Sequence, residues 1–303
     1  MKHNIKITLV LLAMFIITQF IGMFIVNYYS IQGHELPYGM ETPEVQSQTD
    51  FYSSFLPSIL IAFVVAIIIL FLLTKFKLAF VLRIWFFLVI MLAIGIFFNA
   101  VLPNGNYTGL IAIILALPLA LVKVYKQNFL VHNLTELVVY PSIGAVFVPL
   151  LNIWTAIVLL VLISLYDLWA VWKSGIMQKM AKYQMDELKI FGGMMVPYLS
   201  KYQKKKLKKM RKAKKENPKN FKEVKLKVNM AVLGGGDIVF PIIAAGVMLV
   251  NYGFFPALFV LLGATLGLGY LLFIAKPKKP YPAMPFITAG IFLGMLASLP
   301  FIL

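Results

Sequence analysis

An all-α membrane protein with nine transmembrane helices is the fold class that three features of this sequence predict. Apolar residues make up 61% of the 303 positions and charged residues only 13%, against roughly 25% charged in soluble domains. Runs of about 20 apolar residues, each long enough to cross the hydrocarbon core as a helix, recur from end to end. All 28 Lys and Arg fall on alternate connectors between these runs. A soluble globular fold is excluded.

The first run, about Ile5 to Val26, follows Lys2 and Lys6. A signal peptide would look similar, but no small-x-small cleavage site closes the run, and it exceeds a signal peptide's apolar core. A retained helix is expected. The connector from Tyr28 to Asp50 carries four acids, no basic residue, and Pro37 and Pro43. Further spans are expected at about Ser54–Leu73, Leu78–Val101, Thr108–Val124 and Leu134–Pro149, the last short and interrupted by Pro141. The sixth covers about Asn152–Trp172, the seventh Val228–Val250, the eighth Phe254–Ala275 and the ninth Tyr281–Leu303. The chain so divides into an N-terminal six-helix bundle (1–172), a cytoplasmic segment (173–227) and a C-terminal three-helix segment (228–303).

Positive charge gathers on cytoplasmic connectors. That rule places the N-terminus in the cytoplasm and the C-terminus outside. The net charge of +17 is therefore read as topology rather than as a nucleic-acid footprint. Between spans six and seven, Ile176, Met177, Met180, Ala181, Leu188 and Phe191 recur at helical spacing opposite mostly polar residues. This is the pattern of an amphipathic helix at the membrane interface. The basic run from Lys201 to Lys227 follows, broken by Asn217-Pro218. It is expected to lie near anionic headgroups; no aromatic interleaving accompanies it, so no nucleic-acid partner is expected. Trp85, Trp154, Trp169 and Trp172 lie toward span ends, as interfacial anchors do.

Two aspartates break the apolar spans. Asp167 sits in Leu165-Tyr166-Asp167-Leu168, and Asp237 follows Gly234, Gly235 and Gly236. An intramembrane carboxylate is costly and points to function. Glycines strip side chains from about one helical turn and let another backbone approach. At 1.5 Å per residue, Asp167 lies about 9 Å from the cytoplasmic end of its span and Asp237 about 15 Å, or less if the glycines unwind. Contact between them is permitted. Two carboxylates in a site of low dielectric tend to share one proton. One then acts as base toward water while the other polarises a carbonyl. A proton or cation pathway uses the same residues, and a lone structural aspartate is a third possibility. The chain has no cysteine, and His3, His34 and His132 lack ligand spacing; no metal or cofactor is called for. His132 and Glu136 are expected to be structural or interfacial.

Tyr166-Asp167, Gly234-Gly235-Gly236-Asp237 and Pro282-Ala283-Met284, in that order on spans six, seven and nine, resemble the presenilin and signal peptide peptidase family of intramembrane aspartyl proteases. The family's pattern is Tyr-Asp, Gly-x-Gly-Asp and Pro-Ala-Leu. The resemblance covers the whole chain and makes Asp167 and Asp237 the expected catalytic pair, with Gly234 and Gly236 as motif glycines. Met284 stands where the family has Leu, an exchange of similar volume. The resemblance implies a substrate that is the transmembrane helix of a single-span protein. A cytoplasmic N-terminus is similar to the presenilin arrangement and implies substrates whose N-terminus faces outward. An ion-coupled transporter is the alternative in another class.

The orientation has a direct test. In a chain without native cysteine, Ser47→Cys should be labelled from outside by an impermeant thiol reagent, and Ala213→Cys only after lysis. The reverse pattern would invert the topology.

Overall fold

The computed structural model describes residues 5–40, 78–126, 128–174, 192–198, 229–275 and 281–302, with isolated positions within 57–69 and at 203 and 207. Eight helices and one β-hairpin account for nearly all of these. The helices are α1 (Ile5–Val26), α2 (Ala79–Val101), α3 (Thr108–Leu121), α4 (Phe129–Phe147), α5 (Ile153–Trp169), α6 (Gly235–Tyr252), α7 (Phe254–Ile274) and α8 (Met284–Ala297). The strands are β1 (Gly193–Tyr198) and β2 (Asn229–Gly234). Among the described residues, seven helical stretches are long and apolar enough to span a membrane, and α8 is a shorter apolar helix. Most of the second expected span (54–73), the amphipathic helix (176–191) and nearly all of the basic run (201–227) lie outside the described residues.

Helix ends follow local chemistry. Asn128 caps α4 by accepting hydrogen bonds from Leu130 N and Val131 N. This starts the helix at Phe129, earlier than the expected Leu134, and Pro141 lies inside it without ending it. Asn152 and Thr155 form a reciprocal capping box at the start of α5. Gly253, at φ +89°, makes the turn between α6 and α7, a conformation that glycine adopts at little cost.

The expected helix from Val228 is corrected by the structure. Asn229–Gly234 is a strand, and α6 begins only at Gly235. Ala231 and Leu233 are buried while Met230 and Val232 are exposed, so this short stretch has period-two burial that suits a strand. The glycines that follow make poor helix interior but acceptable first-turn residues.

α6 lies at the centre. It packs against α1, α4, α5, α7 and α8, and Ile238, Ile242, Ala244 and Val247 on it are almost fully buried. α1 also packs on α4 and α7, bringing residues from both ends of the chain into one bundle. α2 and α3 pair beside α4 around a second cluster that includes Leu82, Ile94 and Ala120. The outward faces carry exposed Leu, Ile, Phe and Trp, among them Phe20, Leu110, Trp154 and Leu266. Apolar residues outside as well as inside are what a bilayer requires of a helix. Trp85, Trp154, Trp169 and Trp172 all face outward.

α7 and α8 pack in close helix contact. Methyl groups at Gly263 or Gly290 would overlap the other's carbonyl oxygen, and one at Gly294 would overlap the Phe259 carbonyl. Small residues spaced four apart let membrane helices approach this closely. Gly290→Ala should therefore force the helices apart, at about 1–3 kcal/mol for overpacking. A lower thermal transition of the protein in detergent would show it; an unchanged one would refute the tight contact.

Candidate functional site

Asp167 and Asp237 reach the same region by different routes. Asp167 lies near the last turn of α5 and is only 4% exposed. Its Oδ2 accepts a hydrogen bond of 3.0 Å from Met284 N, and the Ala283 N–H also faces it. These donors open α8, where the first N–H groups of a helix have no internal partner. The positive end of the helix dipole adds to their attraction for a carboxylate. A buried pair one turn away holds the same two helices together: Ser164 Oγ donates to Thr288 Oγ1 at 2.8 Å.

Asp237 is the third residue of α6 and is partly exposed. The N–H of Gly234, which caps the helix, faces its carboxylate. This is the reach-back geometry of a capping box, with the acid at the third helical position. Both aspartates thus sit at helix N-termini, Asp167 at a neighbour's and Asp237 at its own. α5 packs on α6, and the two carboxylates lie within electrostatic reach of each other.

The other expected site residues divide. Gly234, Gly235 and Gly236 form the passage from β2 into α6. A methyl at Gly235 would lie 2.7 Å from the Tyr140 hydroxyl oxygen, so the bare backbone is what lets α4 close on this turn. Pro282 and Met284 are buried and Ala283 is partly so. The contact from Met284 to Asp167 is made by backbone, which a Leu would make equally well. Pro285, at the second helical position, has no N–H to lose there. Tyr166 is not gathered in: it is 54% exposed and packs its ring 6.2 Å from that of Trp169.

Several participants were not anticipated. Gln19 of α1 is buried, and its Nε2 donates to the carbonyl of Ile238, the residue after Asp237. A lone amide inside an otherwise apolar span was the available signal. Ser164 and Thr288 were legible only as spacings, three before Asp167 and four after Met284. His132 and Glu136 are buried rather than turned to headgroups: Glu136 Oε1 is 2.9 Å from Lys123 Nζ and 3.5 Å from His132 Nε2. Among the described residues, no cluster of three or more His, Asp or Glu has a metal-binding arrangement.

A family model described as "Signal-peptide peptidase, presenilin aspartyl protease" matches residues 12–302. The fold is similar to a solved structure of a presenilin family intramembrane aspartate protease in space group C222. The TM-score is 0.60 at 18% identity, covering 96% of this chain and 97% of that one. A presenilin family intramembrane aspartate protease in space group P2 gives 0.58 at 17% identity, covering 96% of each chain. No curated protein matches.

Proposed function

The chain belongs to the signal-peptide peptidase and presenilin family of aspartyl proteases, and on that premise we propose that Asp167 and Asp237 are its catalytic pair. It is a multi-pass membrane protein and an aspartic endopeptidase by family. The observation that supports the assignment best is that the two carboxylates lie within electrostatic reach of each other where α5 packs on α6, with Asp167 bound to the first N–H of α8. The ion-pathway alternative gains no support from the family or the fold.

In the proposed reaction one aspartate, ionised, takes a proton from water as the oxygen attacks the scissile carbonyl. The other, protonated, donates to the carbonyl oxygen. The tetrahedral intermediate then collapses, the C–N bond breaks, and the leaving nitrogen takes up a proton from the pair. No metal or cofactor is needed.

The substrate proposed is the transmembrane helix of a single-span protein, entering with its N-terminus outside. A helix hides its amides in internal hydrogen bonds, so it must unwind before attack. The β-hairpin supplies a surface for the unwound strand. β2 pairs with β1 in antiparallel register along one edge, and among the described residues no strand pairs with its second edge. An extended peptide adds to such an edge through main-chain hydrogen bonds. β2 ends at Gly234, three residues from Asp237, so a strand paired there lies beside the carboxylates. Around this site we infer nine spans with the N-terminus cytoplasmic, a domain order as read from the sequence, and the basic run held near anionic lipid.

Asp167→Asn and Asp237→Asn should each abolish cleavage of a single-span substrate in detergent, read by mass spectrometry of the products. The double variant should be no worse than either, because members of one catalytic unit are not additive. The pair titrates as a unit, so the cleavage rate should pass through a maximum and fall at both lower and higher pH. Cleavage by either single variant at near the unsubstituted rate would refute the assignment.

A further inference from the structure

α4 carries a polar face that the proposed chemistry does not use. His132, Asn133 and Glu136 lie together on it, all buried or nearly so, and they bind the backbone of β1. Asn133 Nδ2 donates to Met195 O at 2.8 Å, and Met195 N donates to Asn133 Oδ1 at 2.9 Å. His132 Nε2 donates to Gly193 O at 2.8 Å, and Gly193 N donates to Glu136 Oε1 at 3.4 Å. Lys123 Nζ binds the same Glu136 oxygen at 2.9 Å. Gly193 itself has φ +147°, which favours glycine.

The N–H and C=O of one strand residue point to the same edge, and successive residues alternate. Gly193 and Met195 therefore turn their polar groups toward α4, and Met194 and Val196 turn theirs toward β2. The three side chains act as a substitute strand on the outer edge of β1. A buried ion pair contributes little to stability beyond what an apolar replacement would give. Satisfying a strand edge, however, is something apolar side chains cannot do. Unpaired edges invite pairing with any extended chain.

We propose that His132, Asn133 and Glu136, the last fixed by Lys123, are positioning residues that cap the outer edge of β1, so that an extended substrate pairs only along β2, on the edge that leads to Asp237. The inference rests on the proteolytic reading above and adds to it a determinant of where the substrate is cut. None of the three is a catalytic residue; they act through the hairpin.

The test uses the full chain in detergent with a single-span substrate. Asn133→Leu conserves size and removes both bonds to Met195. Amide hydrogen exchange at Gly193–Tyr198 should quicken, most at Met195. kcat/KM should fall about tenfold, the order expected for two lost hydrogen bonds. The products should include new cleavage positions, because the substrate strand then has a second edge to follow. Asn133→Asp keeps the acceptor for Met195 N and should lie between the two in exchange and cleavage pattern. It serves as the decisive variant if Asn133→Leu does not fold. Unchanged cleavage positions in folded variants, with or without a loss of rate, would overturn the proposal, because a merely structural residue changes the amount of active protein and not the bond that is cut. Failure of the proteolytic reading looks different: the unsubstituted protein would not cleave, or cleavage would survive Asp167→Asn, while hydrogen exchange would still report on the cap.

Discussion

A carboxylate among membrane helices needs donors close by, because water and counter-charges are scarce there. In this molecule the donors are helix N-termini. Asp167 accepts from Met284 N at the start of α8, and Asp237 faces the Gly234 N–H at the start of its own helix. These are backbone groups that would otherwise lack partners. The arrangement explains why α8 starts level with Asp167, and why Pro282 and Pro285 are tolerated beside it. It also explains the Ser164–Thr288 bond, which keeps α5 and α8 in the register that the Asp167 contact requires.

The second carboxylate depends on a change of secondary structure. β2 ends and α6 begins within the glycine run, and Asp237 takes the third helical position as a result. Had the helix continued back to Val228, Asp237 would stand mid-helix, with the Gly234 N–H committed to the helical ladder. Tyr140 closes on the bare Gly235 backbone, so α4 shapes the same turn. Gln19 from α1 takes up the Ile238 carbonyl next to it. Three separate stretches of chain thus converge on one turn: the β2–α6 passage itself, α4 and α1.

α4 links these elements. Its apolar residues pack on α1, α2 and α6, and its polar face holds β1. Strand edges packed among membrane helices are permitted only where protein satisfies them or a cavity takes them. α4 satisfies one edge, and among the described residues no strand pairs with the other, along β2. The asymmetry makes the hairpin a directional surface running toward Asp237.

The sequence by itself determined the membrane class, most span positions, the two aspartates and the family. Those properties rest on local composition and short motifs: a 20-residue apolar run spans the bilayer whatever its neighbours, and a carboxylate within one stands out by its cost. What only the tertiary structure decided is pairing. That Asp167 takes its donor from Met284, 117 positions away, and that Lys123, His132, Asn133 and Glu136 are an interior network rather than an interfacial fringe, depends on which helices adjoin. The strand at Asn229–Gly234 was hidden for the same reason. Six residues of mixed apolar character suit either a helix or a strand, and the backbone of β1, itself held by Asn133, selects the strand.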